Sequence, residues 1–307
     1  MGNNRLQWRR IMVPLTSTPP HERILDQAKE TARIFNSDLL LVYKNIYDKS
    51  DFRQKLLWLM AEDEDANRPA DRRGEVEPAF SPSVTHHHLD GIQVASELLS
   101  FSVEQEIDLI LLETHGHQTL GKTVFGGVAE EVVRWAKCPV LTVRKNQPVG
   151  GDIGFSKILV VTDFSDPISA LLQVGAGLAH SFGAEIHCLN VVEQRARPRL
   201  LPQKKEFEIG TLHYDKTVAK IKSSLAVFQD ELDGPTSTWI NHVRLGHVSA
   251  QILDFIESEG IDLVLVSSHG LTNNTAFTLG SVAEKLLRRA SCSVLLFKTR
   301  QLLNKPE

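Results

Sequence analysis

The feature that most constrains this chain is a block that occurs twice. Asp108-Leu-Ile-Leu-Leu-Glu-Thr-His-Gly116 is followed, after nine residues, by Gly126-Gly127-Val-Ala-Glu-Glu-Val-Val-Arg-Trp-Ala136 and then Cys138-Pro-Val-Leu-Thr-Val143. Asp262-Leu-Val-Leu-Val-Ser-Ser-His-Gly270 is followed, again after nine, by Gly280-Ser281-Val-Ala-Glu-Lys-Leu-Leu-Arg-Arg-Ala290 and Cys292-Ser-Val-Leu-Leu-Phe297. The offset is 154 throughout, so the chain is a tandem duplication. At 307 residues it has room for two domains, each large enough for its own core.

The second copy shows what one block encodes. Leu263 to Val266 is a short, partly β-branched apolar run, as a strand covered on both faces should be. Val282, Ala283, Leu286, Leu287 and Ala290 recur at helical spacing, with Glu284, Lys285, Arg288 and Arg289 on the other side. Gly280-Ser281 therefore stands where a helix starts. A serine there caps free N–H groups, and those groups with the helix dipole favour an anion such as phosphate.

The rest of each copy alternates in the same way. The first opens with a strand at Ile11 to Leu15, a helix from about His21 to Phe35 with Ile24, Leu25, Ala28, Ala32 and Phe35 inward, and a strand at Asp38 to Tyr43. Lys44 to Pro82 is polar and reads as a solvated helix face or loop. Val84 to His88 is a third strand, and a helix from about Ile92 to Glu106 follows. On that strand His86 and His88 share one face and His87 the other, and no Cys or Glu at ligand spacing joins them, so no metal site is expected.

Lys145 to Gly154 is a Pro/Gly linker, which sets the expected domains at residues 8–146 and 154–300. The second unit restarts with Lys157 to Ser165 and a helix opened at Ser165-Asp-Pro167, carrying Ile168, Leu171, Leu172, Ala176 and Ala179 inward and stopping at Gly183. A strand follows over Glu185 to Val192. Glu193 to Asp215 is basic early on, opposite in sign to the acidic segment of the first unit, and reads as a solvated loop.

Alternating elements of this kind wind into two tandem doubly wound α/β domains, each a five-stranded parallel sheet of order 3-2-1-4-5 with helices on both faces. Ligands of such sheets bind at the carboxyl ends of strands one and four, where Asp163 and Gly270 lie. Lys+Arg 34 against Asp+Glu 38 gives a net charge of −4, so no global field favours nucleic acid. Cys138, Cys188 and Cys292 form no CxxC pair and read as reduced, mostly buried thiols. No apolar run approaches the roughly 18 residues of a membrane span, and the start lacks an apolar signal core, so the cytoplasm is the expected location.

This constellation resembles the universal stress protein family, over about Ile11 to Val143 and Ile158 to Phe297. Nucleotide-binding members carry Gly-x-x-Gly, nine residues and Gly-Ser/Thr after strand four, with an Asp after strand one. The second unit offers Ser267-Ser-His-Gly270, nine residues, Gly280-Ser281, and Thr162-Asp163, departing only at Ser267. The resemblance implies that Asp163 and Val191 hold the adenosine, that Gly270, Gly280 and Ser281 wrap the phosphates of ATP or a related adenine nucleotide, and that Thr162, Ser267 and Val282 belong to the same binding site, with Mg as an accompanying ion. The chemistry agrees, since a carboxylate suits ribose hydroxyls and small residues let backbone approach phosphate oxygens. In the first unit Thr16 replaces the Asp, Glu113 the first glycine and Gly127 the serine, so one nucleotide is expected per chain, in the second unit.

Gly116-His-Gln-Thr-Leu-Gly121-Lys122-Thr123 also matches the Walker A pattern after a strand. A helix opened there would run through Gly126-Gly127, and the second copy has no counterpart, so the P-loop reading ranks behind the other. No nucleophile with an adjacent base is evident, and His269 is the titratable group nearest the expected phosphates, with His115 its match. The expected function is a stress-response regulatory protein rather than a metabolic enzyme. A slow ATPase or nucleotidyl-transfer activity and a nucleotide-free scaffold are the alternatives. In the family the last strand pairs across a two-fold, so Val140 to Arg144 and Val294 to Lys298 are expected to join the units as an intramolecular pseudo-dimer, with a homodimer left open.

Overall fold

Strands apolar on both faces force helices onto both sides of a sheet, and the chain is built that way. The computed structural model describes residues 6–15, 22–44, 83–114, 127–144, 154–164, 168–193, 206–230, 232, 239–268 and 279–298. The first unit runs β1 (Arg10–Leu15), α1 (Glu22–Phe35), β2 (Asp38–Lys44), β3 (Val84–Leu89), α2 (Val94–Glu104), β4 (Leu109–Thr114), α3 (Gly127–Trp135) and β5 (Val140–Arg144). The second runs β6 (Lys157–Val161), α4 (Ile168–Phe182), β7 (Glu185–Glu193), α5 (Glu206–Asp230), β8 (Trp239–Gly246), α6 (Val248–Glu259), β9 (Leu263–Ser267), α7 (Ser281–Arg289) and β10 (Ser293–Phe297).

The strands form one ten-stranded sheet in the order β3-β2-β1-β4-β5-β10-β9-β6-β7-β8. Each half has the expected 3-2-1-4-5 order, parallel within itself. At the seam β5 and β10 pair antiparallel, Leu141 beside Leu295. Two apolar layers flank the sheet, and each continues across the seam. On one face Ile11, Val13, Leu263 and Leu265 meet α1, α4 and Leu225 of α5. On the other Met12, Val264 and Val266 meet α2, α3, α6 and α7.

Two polar devices at the seam obey the pseudo-two-fold. Arg144, at the end of β5, donates to the Cys292 carbonyl just beyond α7 at 3.3 Å. Its equivalent Lys298 donates to the Val133 and Arg134 carbonyls at the end of α3, at 2.6 and 3.3 Å. Lys298 thus sits on the negative end of α3, and Arg144 on the turn that follows α7. On the opposite face Trp8, Phe35, Phe182 and Phe155 form a chain of rings, with Phe35 and Phe182 at 6.2 Å joining the units.

Several expectations change in detail. The helix read over Ile92 to Glu106 spans Val94–Glu104. The segment read as loop to Asp215 already contains α5 from Glu206; its apolar residues are too scattered to show a stripe. In α4 the inward face is Ile168, Leu171, Leu172, Val174, Gly175, Leu178 and Ala179, while Ala176 is only half-buried. Gly175 marks the closest approach of helix to sheet, since a Cβ there would stand 2.6 Å from Val160. The polar segment after Lys44, the interdomain linker, the Walker-like run and the Ser165 to Pro167 helix start lie outside the described residues.

Candidate functional site

The strand order reverses between β6 and β9, so their carboxyl ends open a crevice. Val160 pairs with Leu265, and the same register carried two residues on sets Thr162 beside Ser267. On the other side Val161, the last residue of β6, pairs with Leu189, and Asp163 follows two residues past that pair as Val191 does on β7. Thr162, Asp163, Val191 and Ser267 therefore share one end of the sheet. Asp163 is exposed, Val191 and Ser267 are half-buried, and Thr162 is buried.

The helix side of the crevice is tied to the strand side through backbone. The Gly280 N–H donates to the Ser268 carbonyl at 3.0 Å, and the Ser268 N–H donates to Phe297 at 2.9 Å. Those bonds bring the start of α7 to the end of β9. Gly280 itself is the cap residue and Ser281 the first residue inside the helix, so the expected serine cap is displaced by one position. The cap residue, being glycine, supplies no side-chain hydrogen bond of its own to this helix end. Exposed Ser281 and half-buried Val282 follow in its first turn, where N–H groups point outward along the axis. Gly280 has φ −58° and ψ 141°, a conformation open to any residue, so backbone strain does not demand glycine here. Gly270 and His269 lie outside the described residues.

Sequence reasoning missed the turn that carries Asp163. Asn190, 6% exposed on β7, donates from Nδ2 to the Thr162 carbonyl at 2.9 Å. The Thr162 N–H donates to Leu189 at 3.1 Å, and Thr162 Oγ1 accepts the Phe164 N–H at 3.1 Å. Phe164 has φ 60°, a left-handed conformation uncommon for a bulky residue. The available signal was a single amide inside the apolar run Leu189 to Val192.

The equivalent place in the first unit is built alike and furnished differently. Glu113, half-buried on β4, stands where Ser267 stands, and exposed Gly127 begins α3 where Ser281 begins α7. A Cβ on Gly127 would meet nothing within 4 Å, so packing does not demand glycine. Thr16, His115 and Gly116 to Gly126 lie outside the described residues.

Two histidines of β3 have aromatic neighbours. His87 lies against Phe101 at 4.8 Å between centroids, while His88 lies against Tyr43 and bonds Asp90 at 2.9 Å. Burial lowers the His87 pKa. A second cluster links Glu185 Oε1, His187 and His242 in a row, at 2.6 Å and 3.1 Å. Burial first, then His187, lowers the His242 pKa. All three cysteines are buried and free, and burial pushes each thiol up to about 12. Among the described residues no helix is long and apolar enough to cross a membrane.

Comparison with known proteins agrees with the doubled architecture. The universal stress protein family matches twice, over residues 7–144 and 154–298. Universal stress protein MJ0577 of Methanocaldococcus jannaschii is 25% identical over 158 residues, covering 48% of this chain and 96% of that protein. Universal stress protein Rv2005c of Mycobacterium tuberculosis is 28% identical over 199 residues, 63% of each chain. Among solved structures, a universal stress protein from Archaeoglobus fulgidus has a TM-score of 0.60 at 16% identity, covering 96% of this chain and 100% of that one. The functionally unknown protein PA1789 from Pseudomonas aeruginosa has 0.67 at 17% identity, covering 95% and 92%. These two likenesses concern the fold.

Proposed function

The chain belongs to the universal stress protein family, and from that premise we propose that it is a cytoplasmic stress-response regulatory protein whose second unit binds ATP or a related adenine nucleotide. The observation that carries this reading is the placement of Asp163, Val191, Ser267 and the glycine-capped start of α7 at the carboxyl end of the sheet, at one strand-order reversal.

Each part fits the chemistry of its portion of the ligand. The exposed Asp163 carboxylate accepts hydrogen bonds from ribose hydroxyls, and half-buried Val191 offers an apolar surface to the base. The first-turn N–H groups of α7 and the Ser281 hydroxyl take phosphate oxygens, with Gly280 leaving room for their approach. Mg, when present, neutralises charge on the polyphosphate. One nucleotide binds per chain, and the paired edges of β5 and β10 make the two units an intramolecular pseudo-dimer.

Nucleotide released by heat from the purified chain, read by absorbance and mass, tests the reading together with an ATP titration of wild type and Asp163→Ala. Adenine nucleotide in the extract and weaker titration in the variant support it. An empty extract with no binding of added ATP leaves the scaffold reading. Phosphate release that Asp163→Ala abolishes replaces the regulatory reading with an enzymatic one.

A further inference from the structure

We infer that Asn190 is a positioning residue for the nucleotide's ribose, acting through the Thr162-Asp163-Phe164 turn. The inference rests on the nucleotide reading above and adds to it the group that fixes the aim of Asp163.

The Asp163 side chain leaves an exposed turn, and an exposed turn ordinarily samples several conformations. Here three hydrogen bonds hold the two flanking residues. Thr162 is gripped at its N–H by Leu189, at its carbonyl by the Asn190 amide, and at its hydroxyl by the Phe164 N–H. Phe164 is held at φ 60°, which a bulky side chain adopts only when its surroundings impose it. Of the bonds to Thr162, the one from Asn190 alone comes from a side chain on another element, so it can be removed without changing the turn's own sequence. Asn190 is buried and directed at the Thr162 carbonyl, one peptide away from Asp163. Taking away the Asn190 amide leaves that carbonyl in a buried place without its donor and frees the peptide between Thr162 and Asp163 to rotate. The carboxylate then spends less of its time aimed at the ribose. The phosphate end of the site, built on the other side of the crevice from α7, keeps its geometry.

A positioning residue and a merely structural one differ in what their loss affects. ATP and inorganic triphosphate are titrated calorimetrically into the full chain as wild type, Asp163→Ala, Asn190→Leu and the double variant, with thermal midpoints recorded. Asn190→Leu is expected to weaken ATP about tenfold in the wild-type background and less than about twofold in the Asp163→Ala background. Triphosphate affinity stays unchanged. Asn190→Ala, which removes the donor without adding an apolar branch, gives the same pattern should the leucine perturb folding. Equal losses in both backgrounds, no loss in either, or a parallel loss of triphosphate binding each overturn the inference while Asp163→Ala still reports the site. An Asp163→Ala chain that binds ATP like wild type overturns the nucleotide reading itself.

Discussion

In the first unit Asp108 accepts the backbone N–H groups of Arg9 and Arg10 at 2.7 and 3.0 Å; in the second Asp262 does the same for Ser156 and Lys157, the shorter bond being 2.8 Å. Arg10 reaches the Gln105 carbonyl at the end of α2, and Lys157 reaches the Glu259 carbonyl at the end of α6. These repeated contacts anchor the start of strand one to the strand and helix beside it. At the crevice the repetition ends: Glu113 stands at the position of Ser267, Gly127 at that of Ser281, and Thr16 at that of Asp163. The difference has a physical basis. Scaffold positions are fixed by burial or by backbone hydrogen bonds, whereas Asp163, Ser281 and Gly127 are exposed, where substitution changes stability by only about 0.5 kcal/mol. The fold constrains the frame and leaves the mouth free to follow the ligand.

The sharpest way to break this comparison is to place the same side chain at both helix starts. Gly280→Val is expected to abolish ATP binding by filling the room a phosphate oxygen needs, although the backbone at φ −58° accepts valine. At Gly127, the first residue of α3, an added Cβ meets nothing within 4 Å, so Gly127→Val is expected to leave both folding and ATP binding unchanged. Lys122→Ala likewise leaves affinity unchanged. Calorimetry with circular dichroism reads all three; loss of binding in Lys122→Ala with retention in Gly280→Val would move the site to the Walker-like run.

Next in size is the carboxylate. Asp163→Ala is expected to weaken ATP about thirtyfold, the worth of a hydrogen bond to a charged group. Wild type should titrate with one site per chain, and two equivalent sites would show that Glu113 and Gly127 do not disable the first unit.

Why some of this was readable and some was not follows from where each constraint originates. Strand order and the crevice between strands one and four come from alternation and duplication, which a single sequence displays. Boundaries at α7 are set by backbone geometry, so the cap that the sequence pattern puts at Ser281 falls one position earlier, at Gly280. In α4 small residues surround the helix, and Ala176 and Gly175 differ in burial for reasons of approach to Val160 that periodicity does not carry. Asn190 acts on a residue 28 positions away, and Lys298 is buried only because the other unit covers it. Sequence patterns within one unit are silent about contacts made between units.

A smaller effect tests the shared frame. Asp108→Ala and Asp262→Ala each remove the acceptor of two backbone donors at the sheet end, and each should destabilise the chain by about 1–2 kcal/mol, since water partly replaces the lost acceptor. Urea midpoints for the pair check the expected equality. A large loss in one alone would mean that the units do not share the load at this contact.

The smallest effect concerns a seam position where the two units carry different cations, Arg144 against Lys298. Both are buried, and burial lowers both pKa values, but arginine stays charged at any working pH. Burial pulls the Lys298 ammonium from its ordinary 10.5 down to about 8, with Cys138 acting weakly the other way. Between those values the unfolded chain holds a proton that the folded chain has released, so the lysine's contribution to stability is full above 10.5 and is lost as pH falls through about 8. The three thiols oppose it. Burial raises them from 9.0 to about 12, so their contribution is full below 9.0 and is lost as pH rises toward 12. Wild-type stability is therefore expected to change little as pH rises from about 8 to 9, the two trends offsetting. Lys298→Met keeps the thiols and removes the lysine, so its stability should fall relative to wild type by about 1 kcal/mol over that interval. Arg144→Met, which removes a group that does not titrate there, should leave the wild-type pH dependence in place. Urea unfolding of the three chains at both pH values measures the gap, and a gap that stays constant for Lys298→Met would show that the seam lysine keeps its proton.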